Sequence, residues 1–205
     1  MKKLLLILIA AFFMTVFAGC YFKIDKTQKS LDYIKSLKSY TSDAHIILQN
    51  DKQNIEYDMK QYYKKNMGVR LELNSDRIYI CKGDKIYVND TKSGFKYSLS
   101  GDFENIVKLS SVGEYIRLIY TNEEIKTYFK DISGIKYQVL EIYLSNLNRN
   151  LDKGKLYINT ETKLPEFVEV YDLNNKVKFK VLYKNFVANA EINEELLSTE
   201  VKGGI

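Results

Sequence analysis

Few side chains in this 205-residue chain could do chemistry. It holds one histidine, His45, and two cysteines, Cys20 and Cys81. A zinc site needs three or four nitrogen or sulfur ligands, and a lone histidine with two distant thiols does not supply them. Nucleophilic catalysis pairs a Ser or Cys with a histidine that an acid orients, and no such order is readable here. Cys81, between Ile80 and Lys82 in a strand-like run, reads as a small packed residue rather than a nucleophile. His45 reads as a strand surface residue. The adjacent carboxylates Glu123-Glu124 and Glu194-Glu195 sit in polar segments, as solvated charge rather than an acid–base pair. No glycine-rich loop could cradle phosphate. The expectation is a protein without catalytic residues, metal or dissociable cofactor.

Cys20 has a different chemistry in prospect. Lys2 and Lys3 precede an apolar run from Leu4 to Phe17, broken only by Thr15 and followed by Ala18 and Gly19. That layout is an export signal, and the run falls short of the roughly 20 residues a spanning helix needs. Phe17-Ala18-Gly19-Cys20 resembles the bacterial lipobox, with Phe where Leu is usual, and the resemblance implies a diacylglyceryl group on the Cys20 thiol and an acyl chain such as palmitate. Each buried methylene adds about 0.8 kcal/mol, so two or three chains hold a protein at a membrane. The reading divides the chain into a signal peptide at 1–19, a lipidated tether at 20–29 and one domain at 30–205, on the extracytoplasmic face of a membrane.

Lys and Arg total 31 and Asp and Glu 26. Such a small, evenly spread excess excludes nucleic acid as a natural partner, although weak attraction to anionic headgroups fits it. With Cys20 lipidated, Cys81 has no partner within the chain, so no disulfide framework is expected.

The domain must come mostly from strands. Leu31, Ile34 and Leu37 mark one face of a helix over 30–39, which Ser30 can cap. Runs of β-branched and aromatic residues then predict strands at 42–49, 55–64, 69–74, 77–82, 85–89 and 95–99. Gly83-Asp84 suits a two-residue hairpin turn that sets Ile80 opposite Tyr87. From Asp102 to Ile119 the spacing turns helical, as one helix or two short ones, with Gly113 as the kink or break. A hairpin over 125–130 and 135–142, turning at Ser133-Gly134, is preferred to a helix starting at Thr121. An Asn-rich loop covers 145–154, and strands come next at 155–159, 166–172 and 177–186, with Pro165 opening the second. In the last, Val177, Phe179, Val181 and Tyr183 alternate with lysines, the mark of a half-buried antiparallel strand. The fold class is α+β: one strongly curved antiparallel sheet with a helix at its start and a helix or helix pair inserted between its halves.

The stretch Leu156 to Pro165, with Glu166 to Tyr171, Asn174 to Tyr183 and the close at Asn189, Ile192 and Leu196, resembles the C-terminal half of the LolA/LolB-like lipoprotein-sorting family. The resemblance implies an eleven-stranded or similar incomplete β-barrel with helices as its lid. Richness in Lys, Asn, Ile and Tyr looks like that of a lipoprotein from an AT-rich, spore-forming Gram-positive bacterium, and in length, lipobox and layout the chain resembles the GerS-like germination lipoproteins of spore-forming clostridia. Those proteins act as non-catalytic partners of a spore-cortex amidase, CwlD, which implies a cell-wall amidase partner in sporulation or germination and a forespore or spore membrane.

Two binding roles remain open. A docking protein would use a sheet edge or an aromatic-rich face, with Tyr57, Tyr62, Tyr63, Arg70 and Arg77 as the candidate exposed surface. A carrier would hold an acyl chain or other lipid in a concave face lined by Val69, Leu71, Ile86, Val88, Phe179 and Val181, residues that could equally fill a solid core. The open edges of an incomplete barrel also admit a strand-exchanged homodimer.

Overall fold

A computed structural model describes residues 29–49, 54–99, 103–121, 125–144 and 150–199. The export signal, Cys20 and Glu123-Glu124 lie outside these residues. The first element is α1 (Lys29–Ser36), which ends three residues earlier than expected. There follow β1 (Ser39–Gln49), β2 (Asn54–Lys64), β3 (Gly68–Leu73), β4 (Arg77–Lys82), β5 (Lys85–Asp90) and β6 (Lys96–Leu99). Two helices, α2 (Phe103–Leu109) and α3 (Val112–Thr121), lead to β7 (Ile125–Ile132), β8 (Ile135–Tyr143), β9 (Leu151–Asn159), β10 (Pro165–Asp172) and β11 (Val177–Ala188). A 3₁₀ turn, Glu194–Leu197, closes the described chain.

The eleven strands form one open antiparallel sheet in the order β6-β5-β4-β3-β2-β1-β11-β10-β9-β8-β7. Each half is a meander, the halves join where β1 pairs β11, and α2 and α3 connect strands at opposite edges. Two of the expected hairpins form as read: Ile80 pairs with Tyr87 around Gly83, whose φ of +56° suits the turn, and β7 pairs β8 around Ser133-Gly134. The loop before β9 is shorter than expected, because Leu151 to Gly154 pair with β10 and β8.

Alternation decides which residues meet the helices. Tyr40, Ala44 and Ile46 of β1 face inward beside Phe179, Val181 and Tyr183 of β11. Between Thr41 and Asp43 the register shifts by one, leaving an extra residue in β11 at Asn185, which has φ +50°. This bulge reverses the parity of the residues after it. Phe186 therefore turns inward and stacks on Tyr40 at 4.8 Å between ring centroids.

The helix pair lies on the inner face. Its break falls at Ser110-Ser111, not at Gly113. Gly113 sits in the first turn of α3, where a Cβ would come 2.7 Å from Tyr63 Cδ2 and from Val69 Cγ2. Close approach, rather than bending, is what requires glycine there. The break is pinned by buried polar groups. The Gly113 N–H donates to Tyr40 Oη (2.8 Å), Gln61 Nε2 donates to the Ser110 carbonyl (2.8 Å), and Tyr183 Oη donates to the same carbonyl (3.0 Å). Burial pushes the Tyr40 and Tyr183 phenols up, so both stay neutral donors. A buried polar group left unpaired would cost about 1–3 kcal/mol, so this cluster fixes where the helices sit.

Candidate interaction surfaces

The six residues proposed to line a cavity all lie in the core. Leu71, Ile86 and Val181 are fully buried, and Val69, Val88 and Phe179 nearly so, in one cluster with Val112, Tyr115 and Ile116 of α3. Side chains occupy the space between sheet and helices at these positions, and Val69, at the margin of the cluster, also borders an open cleft beside α3. Gly154 on β9 leaves the seat for the Tyr115 ring, since a Cβ there would stand 2.7 Å from Tyr115 Oη.

The five proposed surface residues do not form one patch. Tyr57 and Tyr63 share the inward face of β2 with Met59 and Gln61. Tyr63 is buried and stacks on Tyr40 at 5.1 Å, while Tyr57 packs against the core. The expectation that these two are exposed is thus corrected: successive residues of a strand point to opposite faces, so Tyr62 and Tyr63 cannot share a surface. Tyr62 and Arg70 are cross-strand neighbours on the outer face. Arg70 is engaged there, donating from Nε to Glu72 Oε1 (2.7 Å) and from Nη1 to the Leu196 carbonyl (3.1 Å). The C-terminal segment crosses this face and buries Ile192 and Leu197; the buried closing leucine is Leu197, not Leu196. Arg77 is exposed at the opposite end, paired with Asp90 at 3.3 Å. His45 lies half-buried on β1 between two carboxylates of β2, 2.9 Å from Asp58 and 3.3 Å from Glu56. Cys81 is buried. Among the described residues no group of three or more His, Cys, Asp or Glu side chains is placed to hold a metal ion.

A different surface emerges on the outer face of β7–β11. Tyr137, Val139 and Tyr157 form a second buried cluster, with Tyr128, Ile132 and Phe167 packed on it. Tyr157 stacks on Phe167 at 4.1 Å, and Tyr137 meets Phe167 edge-on at 5.4 Å. Carboxylates accept from the hydroxyls: Tyr137 donates to Glu166 (2.5 Å), while Tyr157 and Tyr171 both donate to Glu169 (2.9 and 2.7 Å). Lysines lie over the rings, Lys180 above Phe167 at 4.5 Å and Lys155 above Tyr171 at 4.9 Å. Burial, then the Glu166 carboxylate, pushes the Tyr137 phenol up to about 12; burial and Glu169 do the same for Tyr171. Burial works against ionisation of Glu169, yet the hydroxyls of Tyr171 and Tyr157 together with Lys180 hold its carboxyl below the usual range. The result is an ordered aromatic surface, half-exposed at Tyr128, Tyr143, Phe167 and Tyr171. Sequence reasoning missed this surface. The available signal was that 135–144 carries apolar or aromatic residues at both parities, Tyr137, Val139 and Tyr143 on one and Leu140, Ile142 and Leu144 on the other, which a strand packed on one side only would not.

The sheet is open and curved, packs its helices on one face and orders aromatic rings on the other. The chain belongs to the YdcC-like sporulation protein family, whose model matches residues 1–197. Its fold is shared with an uncharacterised conserved protein of Thermus thermophilus, at 10% identity and a TM-score of 0.55, covering 87% of this chain and 96% of that one. A LolA superfamily protein of Nitrosomonas europaea is similar at 13% identity and TM-score 0.48, over 84% and 97% of the two chains. The GerS lipoprotein, solved in complex with the CwlD amidase of Clostridioides difficile, is 27% identical with a TM-score of 0.45, over 80% of this chain and 94% of that one. No curated protein matches the chain. The incomplete eleven-stranded barrel with a helical lid, implied by the sequence resemblance, is the architecture observed.

Proposed function

We propose that this chain is a non-catalytic docking protein, tethered by lipid at Cys20 to the extracytoplasmic face of a membrane, whose outer aromatic face engages a cell-wall amidase during sporulation. The observation that carries the reading is the ordered face of β7–β11. Rings already fixed by hydrogen bonds and cation–π contacts lose little freedom on binding, and Tyr-rich surfaces commonly supply interface affinity. An amidase is the partner class to test first because the GerS lipoprotein, 27% identical to this chain, was solved with one.

Tyr143→Ala combined with Tyr171→Ala removes two half-exposed rings from this face without entering the main core. Immunoprecipitation from sporulating cells should recover an amidase with the natural chain and at least tenfold less with the double variant, at unchanged protein level. Equal recovery by both overturns the assignment of the face.

A second reading, a carrier of acyl chains, is favoured by one observation: a cleft of about 550 Å³ bordered by Tyr63, Met67, Val69, Ile116 and Tyr120 between α3 and the β2–β3 turn. Protein purified without detergent would then release lipid on organic extraction, and a lipid-free extract counts against it.

A further inference from the structure

The two ends of the sheet carry their charge differently. At the end with the β3–β4, β5–β6 and β10–β11 turns, cations are paired with acids: Lys92 with Asp76 at 2.7 Å, Arg77 with Asp90 at 3.3 Å and Lys178 with Asp172 at 4.0 Å. At the opposite end the β2–β3 and β4–β5 turns lie side by side with the α1–β1 junction. The Lys65 N–H donates to the Lys38 carbonyl at 2.7 Å, and a Cβ on Gly68 would stand 3.2 Å from Lys82 Cγ. Lys38, Lys65 and Lys85 are exposed and Lys82 half-exposed. None of the four makes an ion pair among the described residues, and the acids nearby are few. Glu114 is held by Arg117 through two hydrogen bonds of 2.6 and 3.0 Å, Glu194 by Lys64 at 2.6 Å, and Asp32, Asp84 and Glu191 are exposed carboxylates, the last following Ala190, whose carbonyl accepts from Ser39 Oγ. Apolar groups sit among these lysines: Met67 at the lip of the cleft and Tyr120, 61% exposed.

The same end receives the chain from its N-terminus. α1 runs directly into Lys38 and β1, and its eight residues span about 12 Å. The nine residues 20–28 reach at most about 30 Å when extended. A lipid on Cys20 therefore keeps this end within reach of the bilayer that holds it.

We propose that the rim formed by Lys38, Lys65, Lys82 and Lys85, with Met67 and Tyr120, rests on an anionic bilayer and so sets the orientation of the anchored domain. This rests on the Cys20 anchor of the reading above. Unpaired lysines grouped around exposed apolar side chains match a surface that offers phosphate charge above hydrocarbon. With the rim down, the strands stand up from the membrane, and the aromatic face of β7–β11 points sideways, clear of the lipid.

The test uses the acylated chain in vesicles of phosphatidylcholine alone or with phosphatidylglycerol, read by amide hydrogen exchange. Phosphatidylglycerol should slow exchange severalfold at residues 64–68 and 82–85 while leaving 91–95 and 173–176 unchanged, and 0.5 M salt should reverse it. Lys65→Ala, Lys82→Ala and Lys85→Ala together should abolish that slowing without releasing the protein. Exchange independent of lipid charge, or slowing at the 91–95 turn instead, overturns the proposal. A chain that floats with neither vesicle indicates failure of the anchor, not of the rim. In that case co-sedimentation of the unanchored chain reads the rim directly: binding to phosphatidylglycerol vesicles should weaken about fivefold per lysine removed, and absence of binding overturns it.

Discussion

In β1–β6 the outer face carries His45, Glu56, Asp58, Lys60 and Glu72, and part of it lies under the C-terminal segment that Arg70 holds. In β7–β11 the same face carries Tyr137, Tyr157 and Phe167, knitted to Glu166 and Glu169. One half thus has a single packed side and a polar or strapped one, whereas the other is packed on both. β8 shows this most directly, with six consecutive buried residues from Tyr137 to Ile142. A strand buried on both sides has little room to adjust, so the C-terminal half can present fixed side chains on its outer face.

Substitutions can break that contrast, starting with the greatest loss. Phe179→Ala empties a site in the main core and should cost about 4 kcal/mol, against about 2 kcal/mol for Phe167→Ala, where the ring is only half-buried. Urea melts of the two variants measure the difference, and equal losses would mean the outer cluster is as tightly packed as the inner one. Gly154→Ala pushes a methyl into Tyr115 and should destabilise by about 2–3 kcal/mol. Shortening the opposing ring with Tyr115→Phe should restore part of that loss in the double variant. Tyr40→Phe removes one of the two acceptors of the Gly113 N–H, leaving Ser111 Oγ at 3.1 Å, and should cost about 1 kcal/mol, with faster hydrogen exchange through the first turn of α3.

The smallest effect concerns pH. Glu169 has a lower pKa folded than unfolded. Its contribution is therefore complete above the unfolded value near 4.3 and is lost as pH falls through the folded value. Glu169→Gln should lower stability at pH 7 by about 1 kcal/mol and flatten the decline between pH 5 and 3, as thermal melts across that range would show. At the other extreme, Tyr137 ionises near 12 in the folded protein against about 10 unfolded. Its contribution is intact below pH 10 and fades as pH rises through 12.

Much of this architecture is legible in local pattern. The alternation of Val177, Phe179 and Val181 with lysines, the Gly83-Asp84 turn and the helical spacing after Asp102 each locate an element, because each is set by neighbours within a few residues. The faces were harder. Tyr57 and Tyr63 needed the parity of Met59 and Gln61 in the same strand, and Phe186 needed a bulge at Asn185 that its sequence does not announce. The role of Gly113 depends on Tyr63 and Val69 from other strands. The aromatic surface depends on the register of the β9–β10 hairpin, in which an irregularity between Pro165 and Phe167 makes Tyr157 and Phe167 cross-strand partners, and the turn sequence does not announce that irregularity.

The join between β1 and β11 has a consequence for how the molecule is made. The first strand to be synthesised pairs on one side with its successor and on the other with the last. As the chain emerges, β1–β6 can zip into a meander through short turns, but the second edge of β1 stays open until some 130 further residues have followed. Such an edge is a template for a strand of another molecule, and the late, distant closure slows completion of the sheet. The bulge at Asn185 and the hydrogen bond from Asn185 to Asp43 at 2.7 Å lie at this seam, where they favour the chain's own last strand over a foreign one.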